Sequence, residues 1–441
     1  MLTTQPIRTK LNATHYEWAG SALRRLFRSR KPIAEVWAFF SGPQRPARVD
    51  APGTRRLTLY DVVRKYPEIL GPSGADPRNQ GQKYFFVKFL DPSDFPPFAY
   101  VGFRPEAVRK LRMSARAVRT HMAGLLWQDR AAVERLAALM APRIRSRNAF
   151  EAFKAAYKRW AIAQARDNWS ADADIELNGL VPPSSVREAR ACLDDQRRIR
   201  QRIVGLMHRI DYEDGQAILI ETPTLHAIAG LSLQLHPKTR ANFHPKDELW
   251  IYAPLRLPDG ARGWVLVEPQ RTFDKTESGA DFFTPYAWQE ERRTLGFRKA
   301  ITPAYLKTFV SLMDAAPRPR AHYVRTAARL QIPGGRIEGR AQWYRVVEEK
   351  AWPYFTVRQL RFDGAGAATV PLPHHSFTEL HVTEGAVEAT FARGTASLSC
   401  AVRPDHPALL PATLPYDTVA YRSRGPARLY VFTRPRSRHG A

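Results

Sequence analysis

The sequence predicts a mainly β protein with a helical insertion, organised as two β-sandwich or barrel domains and one α-helical domain. Between residues 105 and 210, apolar residues recur at spacings of three and four, which is typical of amphipathic helices. After residue 215, and again after residue 340, apolar and polar residues alternate, which is typical of half-buried strands. The chain has 441 residues, more than one average core accommodates, and its 35 prolines and 25 glycines favour many short strands and turns.

Changes in this pattern give the predicted domain boundaries. Residues 1–104 carry short apolar runs bounded by proline and aspartate, and we expect them to form the first part of an N-terminal β domain. Residues 105–210 form the helical insertion. Residues 211–330 form the second part of the N-terminal β domain, including a short helix over 303–316. Residues 331–441 form a second β domain.

The helical insertion is predicted from apolar stripes on successive helices. One stripe consists of Phe150, Phe153, Tyr157 and Trp160. The last helix is expected to reach Ile210, with a stripe of Ile199, Ile203, Leu206 and Ile210. The segment VPPSS (181–185) separates this helix from the earlier ones and offers a serine N-cap.

The charge balance is strongly basic. The net charge is +26, with 68 Lys and Arg against 42 Asp and Glu, and such a balance favours anionic partners such as nucleic acid, anionic lipid or phosphorylated metabolites. From Arg104 to Arg166 the chain has 15 Lys and Arg against 4 Asp and Glu, which we interpret as solvated helix faces rather than a groove for an acidic partner. The arginines are dispersed and no nucleic-acid-binding motif occurs, so we do not expect nucleic acid as a partner.

Cysteine usage and hydropathy indicate the compartment. Cys192 and Cys400 are far apart and lack metal-ligand spacing, which suits a reducing compartment. The first residues contain no apolar segment of signal-peptide length, and no run of about 18 apolar residues occurs. We therefore expect a cytoplasmic protein without a membrane span.

One short window, residues 215–250, concentrates imidazole, amide and carboxylate groups. Its candidate metal ligands are His226, Gln234, His236 and Glu248. Such groups suit a borderline divalent ion such as zinc. Gln234 and His236 share a face if they lie on one strand, whereas the face of His226 depends on whether the intervening loop is odd or even in length. Ordinary hydrogen-bonded polar residues are the alternative, and for any single histidine they are the better interpretation.

Several stretches resemble the class I phosphomannose isomerases, a family of zinc-dependent cupins. Those near the start are YEWAGSALRRLF (16–27), KPIAEVWAFFSGPQRPARV (31–49), LTLYDVVRKYPEILG (57–71) and YFFVKFLDPSD (84–94). GQAILIETPTLHAI (215–228) is similar to the family's second cupin motif, which ends in a metal-binding histidine. The segments that follow, LSLQLHPK (231–238), KDELW (246–250) and GWVLVEPQRTFDKT (263–276), resemble its Gln-x-His, Lys-x-Glu and Glu-x-Gln motifs.

The resemblance implies a fold, a reaction and a set of residues. The fold is two cupin-type domains plus a helical domain, and the reaction interconverts mannose 6-phosphate and fructose 6-phosphate through an enediol. One zinc ion per chain is implied, with His226, Gln234, His236 and Glu248 as its ligands. The implied catalytic residues are Glu268 as the base, Asp274 as its helper, and Lys246 together with either Arg271 or Lys275 as positive groups for the phosphate or enediolate.

The chain departs from the family pattern at two places. The family's Gln-x-His pair directly follows its Lys-Phe-Leu-Asp strand, but here that place holds Ala99 and Val101, neither of which can bind a metal. Because Gln234 and His236 occur after His226 instead, we expect the ligand set to be displaced along the chain. The family's active-site arginine is missing near Ser278, where Arg271 or Lys275 would have to replace it, with different geometry if lysine does.

The second β domain is expected to be a metal-free cupin. VPLPHHSFTEL (370–380) resembles a first cupin motif, with His374, His375 and Glu379. Tyr416, however, stands where the second-motif histidine belongs, so a complete ligand set is not expected.

Three alternatives to the isomerase stay open at this level. The first is a catalytically silent cupin that binds a sugar or sugar phosphate, and the second is a basic nucleic-acid-binding protein. The third is an isomerase of the same chemistry that acts on another aldose. The choice of sugar, the identity of the metal and the oligomeric state are not determined by the sequence.

Overall fold

The structure is a computed structural model. It describes residues 3–16, 18–42, 45–51, 56–72, 87–166, 179–221, 223–229, 233, 248–269, 286–289, 291, 293–297, 302–348, 350, 352 and 354–435. Its α-helices are α1 (Ala22–Leu26), α2 (Leu59–Lys65), α3 (Pro105–Lys110), α4 (Ala115–Met140), α5 (Arg147–Ala165), α6 (Val186–Val204) and α7 (Pro303–Leu312).

The strands divide into an N-terminal and a C-terminal set. The N-terminal strands are β1 (Ala13–Thr14), β2 (Glu35–Val36), β3 (Val87–Leu90), β4 (Phe98–Phe103), β5 (Met207–Asp211), β6 (Gln216–Ile220), β7 (His226–Ile228), β8 (Glu248–Arg256), β9 (Arg262–Pro269), β10 (Tyr286–Gln289), β11 (Thr294–Phe297) and β12 (Val324–Thr326). The C-terminal strands are β13 (Ala328–Arg329), β14 (Arg336–Arg345), β15 (Thr356–Pro371), β16 (Thr378–Glu384), β17 (Val387–Arg393), β18 (Ala396–Val402), β19 (Ala408–Leu410), β20 (Thr418–Ser423) and β21 (Pro426–Thr433). The predicted fold class, mainly β with a helical region, is confirmed.

Three of the described helices begin at a residue whose side chain caps them, whereas Ser185, before α6, makes no such hydrogen bond. Thr58 forms a capping box with Asp61, in which each side chain accepts a hydrogen bond from the other residue's backbone N–H. The side chains of Ser114 and Ser146 accept hydrogen bonds from the backbone of the first turns of α4 and α5, which satisfies donors that the helix itself leaves open. The two long helices of the insertion therefore start at capping residues.

The last helix of the insertion ends earlier than the apolar stripe predicts. Helix α6 stops at Val204, Gly205 caps it, and Met207–Asp211 is a strand. The prediction of a helix reaching Ile210 was therefore wrong. Ile199 and Ile203 pack among the helices, whereas Ile210 is buried between the N-terminal sheets. The residues are apolar because two different cores bury them, and their spacing only resembles that of a single helix.

Two sheets of the N-terminal set pack face to face. One is seven-stranded, in the order β1-β2-β3-β9-β8-β6-β12, and the other is three-stranded, in the order β5-β4-β7. Their facing side chains form one buried cluster, which includes Leu90, Trp250 and Leu266 from the first sheet and Val101 and Ile210 from the second. We call the surfaces that contribute to this cluster the inner faces.

The opposite, outer face of the seven-stranded sheet packs against the C-terminal part of the chain. Strands β13 to β21 form a single sheet, and Phe377, Tyr430 and Phe432 from it share a core with Leu249 and Val267. The C-terminal sheet encloses a separate core of its own. The seven-stranded sheet is therefore packed on both faces, against the three-stranded sheet on the inner face and against the C-terminal sheet on the outer face.

Candidate active site between the N-terminal sheets

His226 opens β7 and points into the space between the two sheets. It pairs directly with Val101 on β4, so both side chains lie on the inner face, and His226 is completely buried. Its Nδ1 lies 2.9 Å from the backbone oxygen of Thr224. A carbonyl can only accept, so Nδ1 carries the proton and a neutral His226 has its lone pair on Nε2. That tautomer is the one that ligates a metal through Nε2.

Glu248 opens β8 on the facing sheet and is almost fully buried. Its partner across the ladder is Ile220, an inner-face residue, so the carboxylate also points inward. The Oε2 atom accepts a hydrogen bond from Trp250 Nε1 at 3.1 Å and lies 3.7 Å from His226 Nε2. The edge-to-face packing of His226 and Trp250, with ring centroids 5.4 Å apart, fixes the arrangement.

The spacing of these two groups fits a shared cation. At 3.7 Å, His226 Nε2 and Glu248 Oε2 are too far apart for a hydrogen bond to each other. Two ligands that each sit about 2.0–2.2 Å from one zinc ion are separated by at most about 4.4 Å. The donor chemistry, one imidazole nitrogen and one carboxylate oxygen, also matches zinc. The two residues therefore meet the distance and ligand-type requirements for one ion.

A buried ionic group lies on the adjacent strands. Glu268 on β9 is the ladder partner of Lys88 on β3, and Lys88 Nζ lies 3.2 Å from its Oε1. Glu35 on β2 approaches the same ammonium at 3.7 Å. All three residues are buried and lie on the inner face. A carboxylate next to a buried ammonium is favoured in its ionised form, which a proton acceptor requires.

Glu268 and the His226–Glu248 pair are neighbours. Ile251 pairs with Val267 in the β8–β9 ladder, so the preceding Trp250 and the following Glu268 take adjacent inner-face positions. Trp250 in turn contacts the ring of His226 and donates to Glu248. One indole therefore separates the candidate metal ligands from the candidate base.

Tyr212, which directly follows β5, adds a phenol to the same space. Burial, with a smaller contribution from the negative charge of Glu268, raises the pKa of Tyr212 well above its ordinary value of 10.0. Its ring stacks against Tyr252 with centroids 6.1 Å apart. The hydroxyl is buried and has no hydrogen-bond partner among the described residues. It is a protonated donor directed into the inner space.

The structure brings together three of the residues predicted from the sequence, namely His226, Glu248 and Glu268. The other six lie outside the described residues: Gln234, His236, Lys246, Arg271, Asp274 and Lys275. Within the described ranges, no group of three or more His, Cys, Asp or Glu side chains is placed to hold a metal ion. The participation of Gln234 and His236 in the ligand set therefore remains a prediction.

The apolar residues at the family's usual ligand positions face the same space. Ala99 and Val101 are completely buried, and both belong to the inner-face cluster. Val101 is flanked by two histidines, His226 on β7 and His208 on β5. His208 is held differently, because its Nε2 donates to the backbone oxygen of Arg318 at 2.7 Å.

Sequence reasoning missed Lys88, Glu35 and Tyr212 as parts of this site. A signal was present, because Lys88 interrupts the apolar run YFFVKFL (84–90). A lysine in the middle of a buried strand needs a buried acidic partner. The identity of that partner, Glu268, depends on a ladder between distant strands, which no local pattern reveals.

The comparisons with known proteins identify similar folds. No family model matches the sequence, and no curated protein matches it. Two single-residue variants of phosphomannose isomerase from Salmonella typhimurium are similar at 14% identity and a TM-score of 0.49. The first match covers 98% of this chain and 100% of that chain, and the second covers 97% and 99%. A mannose 6-phosphate isomerase bound with zinc and yttrium covers 98% and 100%, at 13% identity and a TM-score of 0.46.

No helix within the described part of the chain has both the length and the apolar character needed to cross a lipid bilayer.

The polar residues of the C-terminal motif serve the packing between sheets. His374 and His375 lie within hydrogen-bond distance of the backbone oxygens of Ala412 and Arg434, at 3.1 and 3.0 Å. Glu379 lies 2.9 Å from His381, whose ring packs against Phe39 and Phe89 of the N-terminal part. Glu379 thus points away from the core that the C-terminal sheet encloses.

Replacing Glu379 with glutamine should stabilise the protein increasingly as pH rises. Burial raises the pKa of Glu379 above its ordinary value of 4.5. Its contribution to stability is therefore complete below pH 4.5 and is lost as pH rises towards the pKa of the folded state. Glutamine retains an acceptor for His381 and carries no charge. Urea denaturation of both proteins from about pH 4 to 8 should show a growing advantage for the variant.

The exposed Glu388 on β17, the next strand along the chain, provides the control, because Glu388→Gln should leave the pH dependence of stability unchanged. Parallel pH profiles for the wild type and Glu379→Gln would contradict the prediction.

Proposed function

We propose that the space between the N-terminal sheets is the active site of a metal-dependent aldose–ketose isomerase that interconverts mannose 6-phosphate and fructose 6-phosphate. The observation that supports this most is the placement of His226 Nε2 and Glu248 Oε2, buried and 3.7 Å apart, beside the buried carboxylate of Glu268. The choice of sugar phosphate rests on the sequence motifs that resemble the isomerase family.

In this proposal His226 and Glu248 hold one divalent ion, taken to be zinc, and Gln234 and His236 complete its ligands. When bound, the ion supplies Lewis-acid polarisation of the oxygens on the two reacting carbons of the sugar. The backbone oxygen of Thr224 and the indole of Trp250 keep the two described ligands in their orientations.

Glu268 moves the proton. It removes the proton from C2 of the open-chain aldose, and the electron pair of that bond forms the C1–C2 double bond of the enediol. The same carboxyl group returns the proton to C1, while a hydroxyl proton passes from O2 to O1, so no co-reactant is consumed. Lys88 anchors Glu268 at 3.2 Å and supports its ionised form before the first step.

Other groups bind and orient the sugar. The Tyr212 hydroxyl stays protonated at neutral pH, because its pKa is raised well above 10.0, and it donates to a sugar oxygen. Asp274 assists Glu268, while Lys246, together with Arg271 or Lys275, provides positive charge for the phosphate or the enediolate. These roles come from the resemblance.

A specific observation favours a second candidate, a catalytically silent cupin that binds a sugar phosphate. The apolar side chains of Ala99 and Val101 fill inner-face positions beside His226. If Gln234 and His236 do not reach the inner space, the described ligands His226 and Glu248 are too few for a catalytic zinc site, which uses three protein ligands.

A coupled assay separates the two candidates. We expect the purified protein, supplied with zinc, cobalt or manganese, to convert fructose 6-phosphate to mannose 6-phosphate. Glu268→Gln should lower kcat by about 10²- to 10⁴-fold, the usual contribution of a general base, with the metal content per chain unchanged. Wild-type protein that carries a full metal complement but shows no turnover would overturn the isomerase proposal in favour of the silent cupin.

A further inference from the structure

An open cleft of about 790 Å³ lies away from the candidate active site. The end of α1, the β8–β9 hairpin and two loops of the C-terminal sheet line it. Its volume is in the range of small-molecule sites. None of the residues assigned above to the metal or to proton transfer lines it, so any occupant is independent of the proposed isomerase reaction.

The cleft is rich in arginine. Arg28, Arg256 and Arg403 line it, against a single carboxylate, Asp405. Asp405 is engaged by His406 at 2.8 Å and lies 3.9 Å from Arg403. Arg28 and Arg256 make no ion pair with any residue that the structure describes. The positive charge in the cleft is therefore not balanced by the surrounding described side chains.

The backbone of Arg28 is strained. Arg28 follows α1 with a φ of 50°, in the left-handed region. The hydrogen bonds Arg28 N to Arg25 O and Ser29 N to Arg24 O form a Schellman motif, in which this position favours glycine. A side chain here costs free energy. An arginine at a glycine position is consistent with a use for its side chain, because strain of this kind concentrates at functional sites.

A second unfavourable arrangement occurs on the opposite wall. Arg256 is the direct cross-strand partner of Arg262 in the β8–β9 hairpin. Like charges directly opposite each other destabilise a ladder. A bound anion beside Arg256 would offset that repulsion.

From these observations we propose that the arginine cleft binds an organic phosphate. Guanidinium groups bind phosphate through paired, charge-assisted hydrogen bonds, which three arginines around one cleft are able to provide. Phe27, Leu257 and Pro404 also line the cleft, and they supply an apolar wall for the organic part of the ligand. The chemistry of the cleft therefore fits a phosphate ester with a flat or apolar group, such as a nucleotide.

Adenosine monophosphate is a suitable probe, with inorganic phosphate for comparison, in calorimetric titrations of the full chain at constant ionic strength. We expect one cleft site per chain that binds the nucleotide more tightly than inorganic phosphate. Arg28→Gly should weaken nucleotide binding about 10- to 100-fold, the worth of one charge-assisted hydrogen bond. The same change should raise or maintain Tm, because glycine relieves the left-handed backbone. If Arg28 served only to hold the fold, its replacement would lower Tm. Weaker nucleotide binding with an equal or higher Tm therefore indicates that the Arg28 side chain contacts the ligand.

The matched control is Arg24→Ala, because Arg24 is an exposed arginine on α1, near Arg28 in sequence, that does not line the cleft. Equal weakening by the two variants would overturn the proposal in favour of bulk charge. Unchanged binding in Arg28→Gly would overturn it as well. Glu268→Gln should keep full nucleotide binding, whether or not the isomerase proposal holds. Loss of binding in that variant would place the ligand between the sheets and overturn the cleft site.

Discussion

Replacing His226 with alanine should abolish tight metal binding, whereas replacing His208 with glutamine should leave it nearly unchanged. The two histidines are a matched pair, because both flank Val101 on the inner face of the three-stranded sheet and both are buried. They differ in which nitrogen is engaged by the backbone. His226 donates through Nδ1 to Thr224 and presents Nε2 to Glu248, while His208 donates through Nε2 to Arg318.

The difference should appear in the zinc affinity of the apoprotein, measured by calorimetric titration, and in metal content after dialysis. Loss of a direct ligand should reduce affinity by more than the 10- to 100-fold that follows the loss of a group that only orients a ligand. His208→Gln keeps an N–H donor near the Arg318 carbonyl and should bind within a few-fold of the wild type. Equal losses in the two variants would contradict a ligand role for His226. Circular dichroism would check that both variants fold.

Much of the fold followed from local patterns in the sequence. The alternation of apolar and polar residues predicted the strands that contain Glu248 and Glu268. Residues two apart on a strand share a face, so Glu248 lies on the face of Trp250 and Glu268 on the face of Leu266, and both are the inner face. The helices of the insertion followed from their apolar stripes. Such features depend only on residues a few positions apart.

The parts that were missed depend on contacts between distant segments. The parity of a loop left open whether His226 shares a face with Gln234 and His236, and those two residues lie outside the described part of the chain. The structure places His226 on the inner face through its pairing with Val101 on β4. The false extension of α6 to Ile210 has a similar origin, because burial in two separate cores resembles one stripe. The tautomer of His226 depends on a backbone oxygen whose position follows from the folded turn.

Replacing Lys88 with methionine should lower the free energy of unfolding by about 3–5 kcal/mol, the usual loss when one partner of a buried ion pair is removed. Lys88 Nζ lies 3.2 Å from Glu268 and 3.7 Å from Glu35, and all three side chains are almost inaccessible to solvent. The variant leaves two carboxylates buried without their shared ammonium. Denaturation with urea would measure the loss.

Two further variants identify buried charge as the cause of this loss. Adding Glu35→Gln and Glu268→Gln to Lys88→Met should restore much of the stability, because no net charge then stays buried in this group. Lys154 pairs with Glu151 at 2.8 Å on the surface of α5, so Lys154→Met should cost no more than about 1 kcal/mol. If Lys88→Met lost no more stability than Lys154→Met, Lys88 would not be the counterion that holds Glu268 ready to accept a proton. Glu268 would then lose the structural support on which its role as the base rests.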